Sequence, residues 1–401
     1  MKGTVSILQN KSLGVAVDIG TTTVALHLID MDTGCKIVTI SGLNAQAPYG
    51  ADVTSRIRYC SDNGHEPLTR VIREQLSSMI TDACSQTGVK ADDIKHIVIA
   101  ANTIMQHLAA GISPISMGAA PFTPVSLFGE VLPVWEDFPA AKDACIYYTP
   151  AISAYVGGDI TAGLLAAGFE NITDPAIFLD IGTNGEIVLK HKGTYYCCAT
   201  AAGPAFEGAE IEMGMAAENG AIDHVKLEKT ITFSVIGGGK PKGLCGSGLL
   251  DTLAVLLETG DVDETGRLNT DKYYLSNEHN VYITAGDIRK LQLAKAAIAA
   301  GIQVLLHFAG ITEKDIKLLA LAGGFGSFMD LGSAARIGLF PKSLLPVAKT
   351  HGNTAGEGAA IALCSDDARS RLLKIRDKCE YIELSTMTFF NDKFVDQMAF
   401  E

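Results

Sequence analysis

Residues 13–24 read L-G-V-A-V-D-I-G-T-T-T-V, and residues 175–188 read P-A-I-F-L-D-I-G-T-N-G-E-I-V with the same pattern. In each copy an apolar run meets D-I-G-T, which is followed by a small or polar pair and a second apolar run. Two apolar runs joined by a tight glycine-containing turn are typical of a β-hairpin. A hairpin that recurs so far along the chain predicts a duplicated lobe.

Length and charge limit the functions that are open to the chain. Its 401 residues, 47% of them hydrophobic, are enough for two α/β domains. The net charge of −13 disfavours nucleic acid or an anionic bilayer as a partner, because both require clustered positive charge. No apolar run is expected to reach the roughly 18 to 20 residues of a membrane span. The sequence predicts a cytoplasmic protein whose ligand is a small molecule or another protein.

The cysteines predict neither a disulfide framework nor a metal cluster. Nine are scattered along the chain without a C-x-x-C pair. Zinc and iron–sulfur sites need about four ligands at characteristic spacings, and this distribution offers none. We therefore expect no iron–sulfur cluster in this chain.

Both D-I-G-T turns offer ligands for a phosphate chain with Mg²⁺. In the first, Asp18 supplies a hard oxygen ligand, backbone N–H groups can converge at Gly20, and hydroxyls follow at Thr21, Thr22 and Thr23. The second offers Asp180, Gly182, Thr183, Asn184 and Gly185. A single copy is more often a turn stabilised by threonine side chains. Two copies favour a site in which both hairpins bind the same phosphates.

Further candidate residues lie outside the hairpins. A strand predicted from residue 317 runs into a glycine-rich turn at Gly323, Gly324, Phe325 and Gly326, which fits neither the Rossmann nor the Walker spacing. Gly246 and Ser247 are predicted to shape a nucleotide-side turn. Gln292 and Lys295, on a helix predicted over 287–309, share a face that either reaches a ribose or base or is solvated. Glu207 either faces the site or is a solvated loop carboxylate.

Together these residues resemble the actin-like superfamily of sugar kinases, heat-shock chaperone ATPases and actin. Its five nucleotide-site motifs are the first phosphate motif, the first connecting helix, the second phosphate motif, the adenosine motif and the second connecting helix. They match, in this order, residues 14–30, 151–168, 176–190, 319–328 and 353–363. The resemblance implies an α/β fold with two ribonuclease H-like lobes and a nucleotide cleft between them. The expected lobes are residues 13–170 with 354–401, and residues 171–353.

Longer strings resemble the ATPase part of the reductive activators of corrinoid proteins, among them N-A-Q-A-P-Y-G-A-D-V-T-S-R-I (44–57) and A-A-G-P-A-F-E-G-A-E-I-E-M-G-M (201–215). This resemblance implies a homodimeric ATPase that binds ATP or ADP with Mg²⁺. The ATPase would return the cobalt of a corrinoid (cobalamin-binding) protein from Co(II) to Co(I). Such activators usually carry a ferredoxin-like module with clustered cysteines. Electrons would therefore come from a separate or missing iron–sulfur module.

The resemblance also implies roles for single residues. Asp18 and Asp180 would hold Mg²⁺ largely through its waters, the two turns would donate to phosphate oxygens, and Asp159 would orient the attacking water. Two other functions stay open at this point. One is a small-molecule kinase that uses Asp159 as its base, and the other is a nucleotide-dependent partner protein that does not hydrolyse ATP.

Overall fold

The computed structural model describes residues 12–326 and 328–400. The strands of these residues are β1 Leu13–Ile19, β2 Thr23–Asp30, β3 Cys35–Leu43, β4 Ile94–Ala101, β5 Val131–Pro133, β6 Cys145–Tyr148, β7 Ala176–Ile181, β8 Gly185–His191, β9 Thr194–Thr200, β10 Ala221–Leu227, β11 Ile231–Val235, β12 Gly243–Leu244, β13 Lys272–Ser276, β14 Val281–Thr284, β15 Leu318–Ala322, β16 Ala348–Gly352 and β17 Cys379–Tyr381. The α-helices are α1 Val53–Asn63, α2 Glu66–Thr87, α3 Thr103–Ala110, α4 Gly158–Ala166, α5 Gly246–Thr259, α6 Ala285–Ala309, α7 Gly323–Gly326, α8 Leu331–Arg336, α9 Thr354–Cys364, α10 Asp366–Arg376 and α11 Thr388–Asp396.

The chain divides into two compact units. The first ends at Asn171 and also takes in Asn353–Cys379. Its main sheet has the strand order β3-β2-β1-β4-β6-β5, in which β1 pairs antiparallel with β2 and parallel with β4. The apolar side chains of β1, β2 and β4 are buried in one core with those of α2 and α3.

The second unit repeats the arrangement of the first. It runs from Ile172 to Gly352 and resumes at Glu380. Its main sheet has the order β16-β15-β7-β8-β9-β17, in which β7 pairs antiparallel with β8 and parallel with β15. The strands β9-β8-β7-β15-β16 thus correspond in order and direction to β3-β2-β1-β4-β6. Both predicted hairpins are present, and the duplication predicted from the D-I-G-T repeat is found in the strand topology.

The C-terminal segment belongs to the second unit, so the predicted domain boundary is wrong there. Residues 354–401 were all expected in the first lobe, but the chain returns to the second unit at Glu380. There β17 extends the sheet beside β9, the Ile382 N–H donates to the Cys197 carbonyl at 2.8 Å, and Phe400 is buried in the core. Apolar residues near the end of the sequence pack against whichever apolar surface is accessible to them. The order of residues along the sequence does not show which unit provides that surface.

Helix α6 ends at Ala309, as the sequence predicts, and begins at Ala285, two residues before the predicted start. Thr284 and Asp287 form a capping box at its start, a pattern that the sequence T-A-G-D at 284–287 also predicts, and Gly310 in the left-handed conformation ends it. By length and composition α6 could cross a membrane, contrary to the expectation that no segment would qualify. However, 78% of its most apolar window is buried inside the structure, as in the core helix of a folded domain.

Candidate functional site

The first D-I-G-T turn is fixed from the protein interior through its carbonyl groups. Asn44 donates its side-chain amide to the Gly20 carbonyl and its main-chain N–H to the Thr22 carbonyl, both at 2.8 Å. Arg56 Nη2 donates to the Thr21 carbonyl at 2.7 Å. Because a trans peptide points its N–H opposite to its C=O, the N–H that follows each of these carbonyls faces the other side of the turn. That side is the one suited to an anion.

Arg56 places a buried positive charge beneath this turn. Its Nε donates to the Gly50 carbonyl at 3.0 Å and its Nη1 to Gln46 Oε1 at 3.2 Å. Burial lowers the pKa of Arg56 to about 10, so the guanidinium stays charged at neutral pH. A cation under a row of outward N–H groups raises the electrostatic potential there and favours an anionic ligand.

The glycine N–H groups of both turns serve the turns themselves. The Gly20 N–H donates to the Thr23 carbonyl and the Gly182 N–H to the Asn184 carbonyl, each at 2.9 Å. The N–H of Gly20 is therefore used within the turn that it was predicted to shape. Both glycines shape the backbone, and the N–H donors that face outward in the first turn come after Gly20.

Asp18 lies at the end of β1, beside the start of α9. Asn353, which caps α9, donates Nδ2 to Asp18 Oδ2 at 2.9 Å and accepts the Gly356 N–H with Oδ1. Burial raises the pKa of Asp18 to about 6, although the bond from Asn353 acts in the opposite direction. A carboxylate that is poorly solvated gains from a nearby cation. This environment fits the predicted role of Asp18 toward Mg²⁺.

The Asp18→Asn variant is expected to be more stable than the wild type above pH 6 when no nucleotide or metal is present. The folded pKa of about 6 exceeds the ordinary value of 3.8, so the folded chain binds more protons than the unfolded chain between these pH values. The contribution of Asp18 to stability is therefore lost as the pH rises through this window. We expect a gain of about 1 kcal/mol for the variant at pH 7.5, since the carboxylate is partly exposed. Thermal unfolding at pH 4 and pH 7.5 measures it, and a difference between the two proteins that is the same at both pH values would contradict it.

The start of α4 also lies near the first turn. Asn102, at the end of β4, donates Nδ2 to Thr21 Oγ1 at 3.2 Å, and Gly157 packs directly against the Asn102 backbone. Asp159 lies in the first turn of α4, where its Oδ1 accepts the Ile160 N–H at 2.8 Å. Within the first unit, Asn102 therefore connects Thr21 to the helix that carries Asp159.

In the second unit, Gly323 lies directly against the second D-I-G-T turn. It opens α7 with a φ of +89°, and a Cβ atom at this position would lie 2.5 Å from Asp180 Oδ1 and 2.7 Å from the Ile181 carbonyl. Only glycine fits both this space and this backbone conformation. The glycine-rich segment predicted for the adenosine side is thus in contact with the carboxylate predicted for the metal.

Phe325 forms an apolar surface next to this contact. Its ring stacks on Phe206 with the centroids 5.5 Å apart, and Gly246 packs so closely on both that a Cβ would lie 1.8 Å from the Phe206 carbonyl oxygen. Ser247 is buried, and its Oγ lies 3.4 Å from Cys245 Sγ. Gly246 therefore belongs to this cluster, whereas the Ser247 hydroxyl contacts a cysteine. Ser327 of the predicted motif lies outside the described residues.

Thr183 differs from the threonines of the first turn because it is buried. Its Oγ1 donates to Glu207 Oε2 at 2.9 Å. Glu207 ends the 3-10 helix Pro204–Glu207, and its Oε1 lies 3.9 Å from the point where Gly182 would carry a side chain. Of the two alternatives for Glu207, the structure favours the one in which it faces the site.

Gln292 and Lys295 occupy an environment that the sequence did not predict. Both are buried. Gln292 Nε2 donates to the Met398 carbonyl at 2.6 Å, and Lys295 Nζ donates to the Ala399 carbonyl at 2.5 Å and lies 5.0 Å from the Phe400 ring centroid. Both contact the C-terminal segment, which corrects the solvated-face alternative, and their assignment to the ribose or base stays a prediction.

Comparison with protein families identifies the chain along nearly its whole length. A model described as the RACo middle region matches residues 13–172, and a model of the C-terminal domain of RACo, the ASKHA domain, matches residues 174–401. The chain belongs to the RACo family. This confirms the resemblance to the reductive activators of corrinoid proteins that rests on the sequence strings.

Two curated relatives of the RACo-type chain carry names that refer to corrinoid proteins. The corrinoid activation enzyme RamQ of Eubacterium limosum is 35% identical over 418 residues, which cover 96% of this chain and 69% of the relative. The Co(II) methylated amine-specific corrinoid protein reductase of Methanosarcina barkeri is 24% identical, with 96% of this chain and 77% of the relative covered.

A solved RACo-type structure confirms the predicted fold class. The reductive activator for corrinoid, iron-sulfur protein superposes with a TM-score of 0.89 at 36% identity, covering 97% of this chain. This chain spans 66% of the length of that protein. The ASKHA match and this superposition together establish the actin-like α/β fold.

Asp18 and Asp180 of this RACo-family chain offer carboxylate oxygens of the kind that a metal–nucleotide complex uses. Residues 12–326 and 328–400 contain no group of three or more His, Cys, Asp or Glu side chains arranged to hold a metal ion. Mg²⁺ keeps several waters and takes one or two carboxylates together with phosphate oxygens. Asp18 beside Asn353, and Asp180 beside Gly323, are each suited to such a partial role.

Sequence reasoning missed the residues that support the first turn. Asn44 and Arg56 lie in the string 44–57, and Asn102 follows β4, yet none was assigned to the site. A charged residue between apolar positions of a helix was the available signal for Arg56, because a buried arginine requires several acceptors.

Proposed function

We propose that the chain is a Mg²⁺-dependent ATPase that couples ATP binding and hydrolysis to the reductive reactivation of a corrinoid protein. In that reaction the cobalt gains one electron and passes from Co(II) to Co(I), and a separate or missing iron–sulfur module supplies the electron. The proposal is carried by the first D-I-G-T turn, whose N–H groups face away from the carbonyls held by Asn44 and Arg56. The names of the two relatives support a corrinoid protein as the partner. We also propose a homodimer, which sedimentation analysis would test.

Each residue of the site has a proposed role. Asp18 and Asp180 would hold Mg²⁺ through its waters, and the metal would offset the charge of the phosphates. The outward N–H groups of the first turn, with Thr21, Thr22 and Asn184, would donate to phosphate oxygens. Asp159 would orient the attacking water, and the segment Gly323–Gly326 would contact the adenosine. Catalysis would then follow from positioning and charge stabilisation.

Incubation with Mg·ATP tests this function. With a Co(II) corrinoid protein and a reduced ferredoxin-like donor, we expect phosphate release together with the absorbance of Co(I), and faster phosphate release than without the corrinoid protein. Transfer of the γ-phosphoryl group to a small acceptor would instead identify a kinase. Tight binding of ATP without hydrolysis would identify a nucleotide-dependent partner protein. Either of these results would reject the proposal.

Asp180→Asn is expected to lower ATP turnover at least tenfold. The amide keeps the shape of the side chain beside Gly323 but removes one anionic partner of the metal, and a tenfold loss corresponds to about 1.4 kcal/mol of transition-state stabilisation. The exposed Asp174 just before β7 provides the matched control, since Asp174→Asn removes the same charge away from the turn. Equal turnover of the two variants, both folded, would show that Asp180 has no role toward the metal.

A further inference from the structure

We propose that Asn353 is a positioning residue for the metal, because its side-chain amide holds one oxygen of the Asp18 carboxylate and leaves the other oxygen for Mg²⁺ or its water. The inference rests on the proposed function, since it takes Asp18 as a ligand of the metal. It adds the residue that sets the direction of that ligand. Asn353 acts here through Asp18 and does not itself touch the metal. Both residues belong to the first unit.

The hydrogen bonds of Asn353 allow its amide only one orientation. Oδ1 accepts the Gly356 N–H at 2.9 Å and so caps α9. A backbone N–H bonds only to an acceptor, so the amide oxygen lies on the helix side and the NH₂ group on the other side. Nδ2 donates to Asp18 Oδ2 at 2.9 Å. The bond that caps the helix therefore ensures that Asp18 faces a donor.

The Asp18 carboxylate keeps one oxygen outside this bond. Oδ2 accepts from Asn353, whereas Oδ1 makes no hydrogen bond to any residue within 12–326 and 328–400. A carboxylate with one oxygen held in this way presents the other in a defined direction. Hydrogen bonds that orient a ligating carboxylate commonly change metal affinity by tenfold or more when they are removed.

The packing of α9 keeps Asn353 within reach of Asp18. Near the other end of the helix, Leu363 lies against Gly14 at the start of β1, where a Cβ atom would be 2.8 Å from Leu363 Cδ1. Helix α9 thus lies along β1, with its first residues at Asp18 and its last residues at Gly14. A contact at each end leaves the helix little freedom to shift along the strand.

Two substitutions at Asn353 separate the donor from the cap. Serine is a good N-cap residue, but its side chain is too short to reach Asp18 from this position. Alanine removes both interactions. We expect Asn353→Ser and Asn353→Ala each to weaken Mn²⁺ binding at least fivefold, measured by electron paramagnetic resonance with saturating ADP and Mn²⁺ in place of Mg²⁺. Without ligand, only Asn353→Ala should lower the melting temperature, by about 2 to 4 °C.

Ser365→Ala is the matched control for the loss of a cap. Ser365 Oγ accepts the Ala368 N–H at 3.2 Å and caps α10, the next helix of the same unit. This variant should lower the melting temperature about as much as Asn353→Ala does, while its Mn²⁺ affinity stays within twofold of the wild type. The control therefore shows how much of any loss in Mn²⁺ binding comes from reduced stability alone.

Two results would overturn the inference. One is an Asn353→Ser protein that binds Mn²⁺ as tightly as the wild type, and the other is a loss in Ser365→Ala as large as that in Asn353→Ala. Asp18→Asn distinguishes this failure from a failure of the proposed function. If Asp18→Asn weakens Mn²⁺ binding and Asn353→Ser does not, only the inference is wrong. If the wild type binds Mn²⁺ with ADP no more tightly than Asp18→Asn, the proposed role of Asp18 is wrong as well.

Discussion

Gly323→Ala is expected to abolish detectable ADP binding and to lower the free energy of unfolding by about 2 to 4 kcal/mol. The added methyl group would overlap Asp180 Oδ1 and the Ile181 carbonyl, and the φ of +89° is unfavourable for any side chain. The variant can relieve the overlap only by moving β15 or the Asp180 carboxylate, and either movement alters the second turn. Chemical denaturation and calorimetry with Mg·ADP would measure the two effects.

Gly324→Ala provides the control for stability. It makes the same substitution one residue later, where a Cβ has no neighbour within 4 Å and the backbone is not left-handed. Its free energy of unfolding should stay within about 0.5 kcal/mol of the wild type. If the two alanine variants unfold at the same denaturant concentration, the contact between Gly323 and Asp180 does not constrain the turn.

Arg56→Ala is expected to lower the free energy of unfolding by about 3 to 5 kcal/mol and to weaken Mg·ADP binding at least tenfold. Removal of the guanidinium takes its hydrogen bonds from three acceptors in a buried environment. These are the carbonyls of Thr21 and Gly50 and the side-chain oxygen of Gln46. It also removes the positive charge beneath the first turn. Arg56→Lys keeps the charge but cannot reach all three acceptors, so its losses should be intermediate.

Arg58→Ala separates these effects from a general loss of positive charge. Arg58 lies on the same helix and is exposed, so its removal should change stability by no more than about 0.5 kcal/mol. Denaturation and calorimetry on the three variants test the set. An Arg56→Ala protein that binds Mg·ADP as tightly as Arg58→Ala would show that the buried charge does not contribute to the site.

Local pattern was sufficient to predict the elements that carry the site. The hairpins around Asp18 and Asp180 follow from two apolar runs joined by a glycine-containing turn. Helix α6 follows from a capping box and a terminal glycine. These signals lie within a few residues of one another. Because each D-I-G-T turn is such a local unit, the sequence was enough to predict both hairpins, and the phosphate and metal roles of the two turns stay predictions.

The support of the turns could not be predicted, because it depends on residues that are far apart in the sequence. Arg56 contacts the Thr21 carbonyl, and Glu207 contacts Thr183, across intervening strands or loops. The same limit applies at Lys295, whose Nζ donates to the distant Ala399 carbonyl. Polar spacing on a helix shows that two side chains share a face, but which surface covers that face depends on tertiary packing.

The alternation of the two units along the chain has a consequence for biosynthesis. A ribosome delivers residues in order, so α9 and α10 of the first unit emerge only after Gly352, and β17 and Phe400 of the second unit emerge after these two helices. Neither unit can complete its core before these late segments are made, so the surfaces that α9 and Phe400 cover remain exposed to aggregation and to chaperones until those segments have emerged. A message truncated after codon 352 would therefore damage both units rather than one. Division of the gene near codon 173, where the two family models meet, would leave the upstream product without α9 and α10.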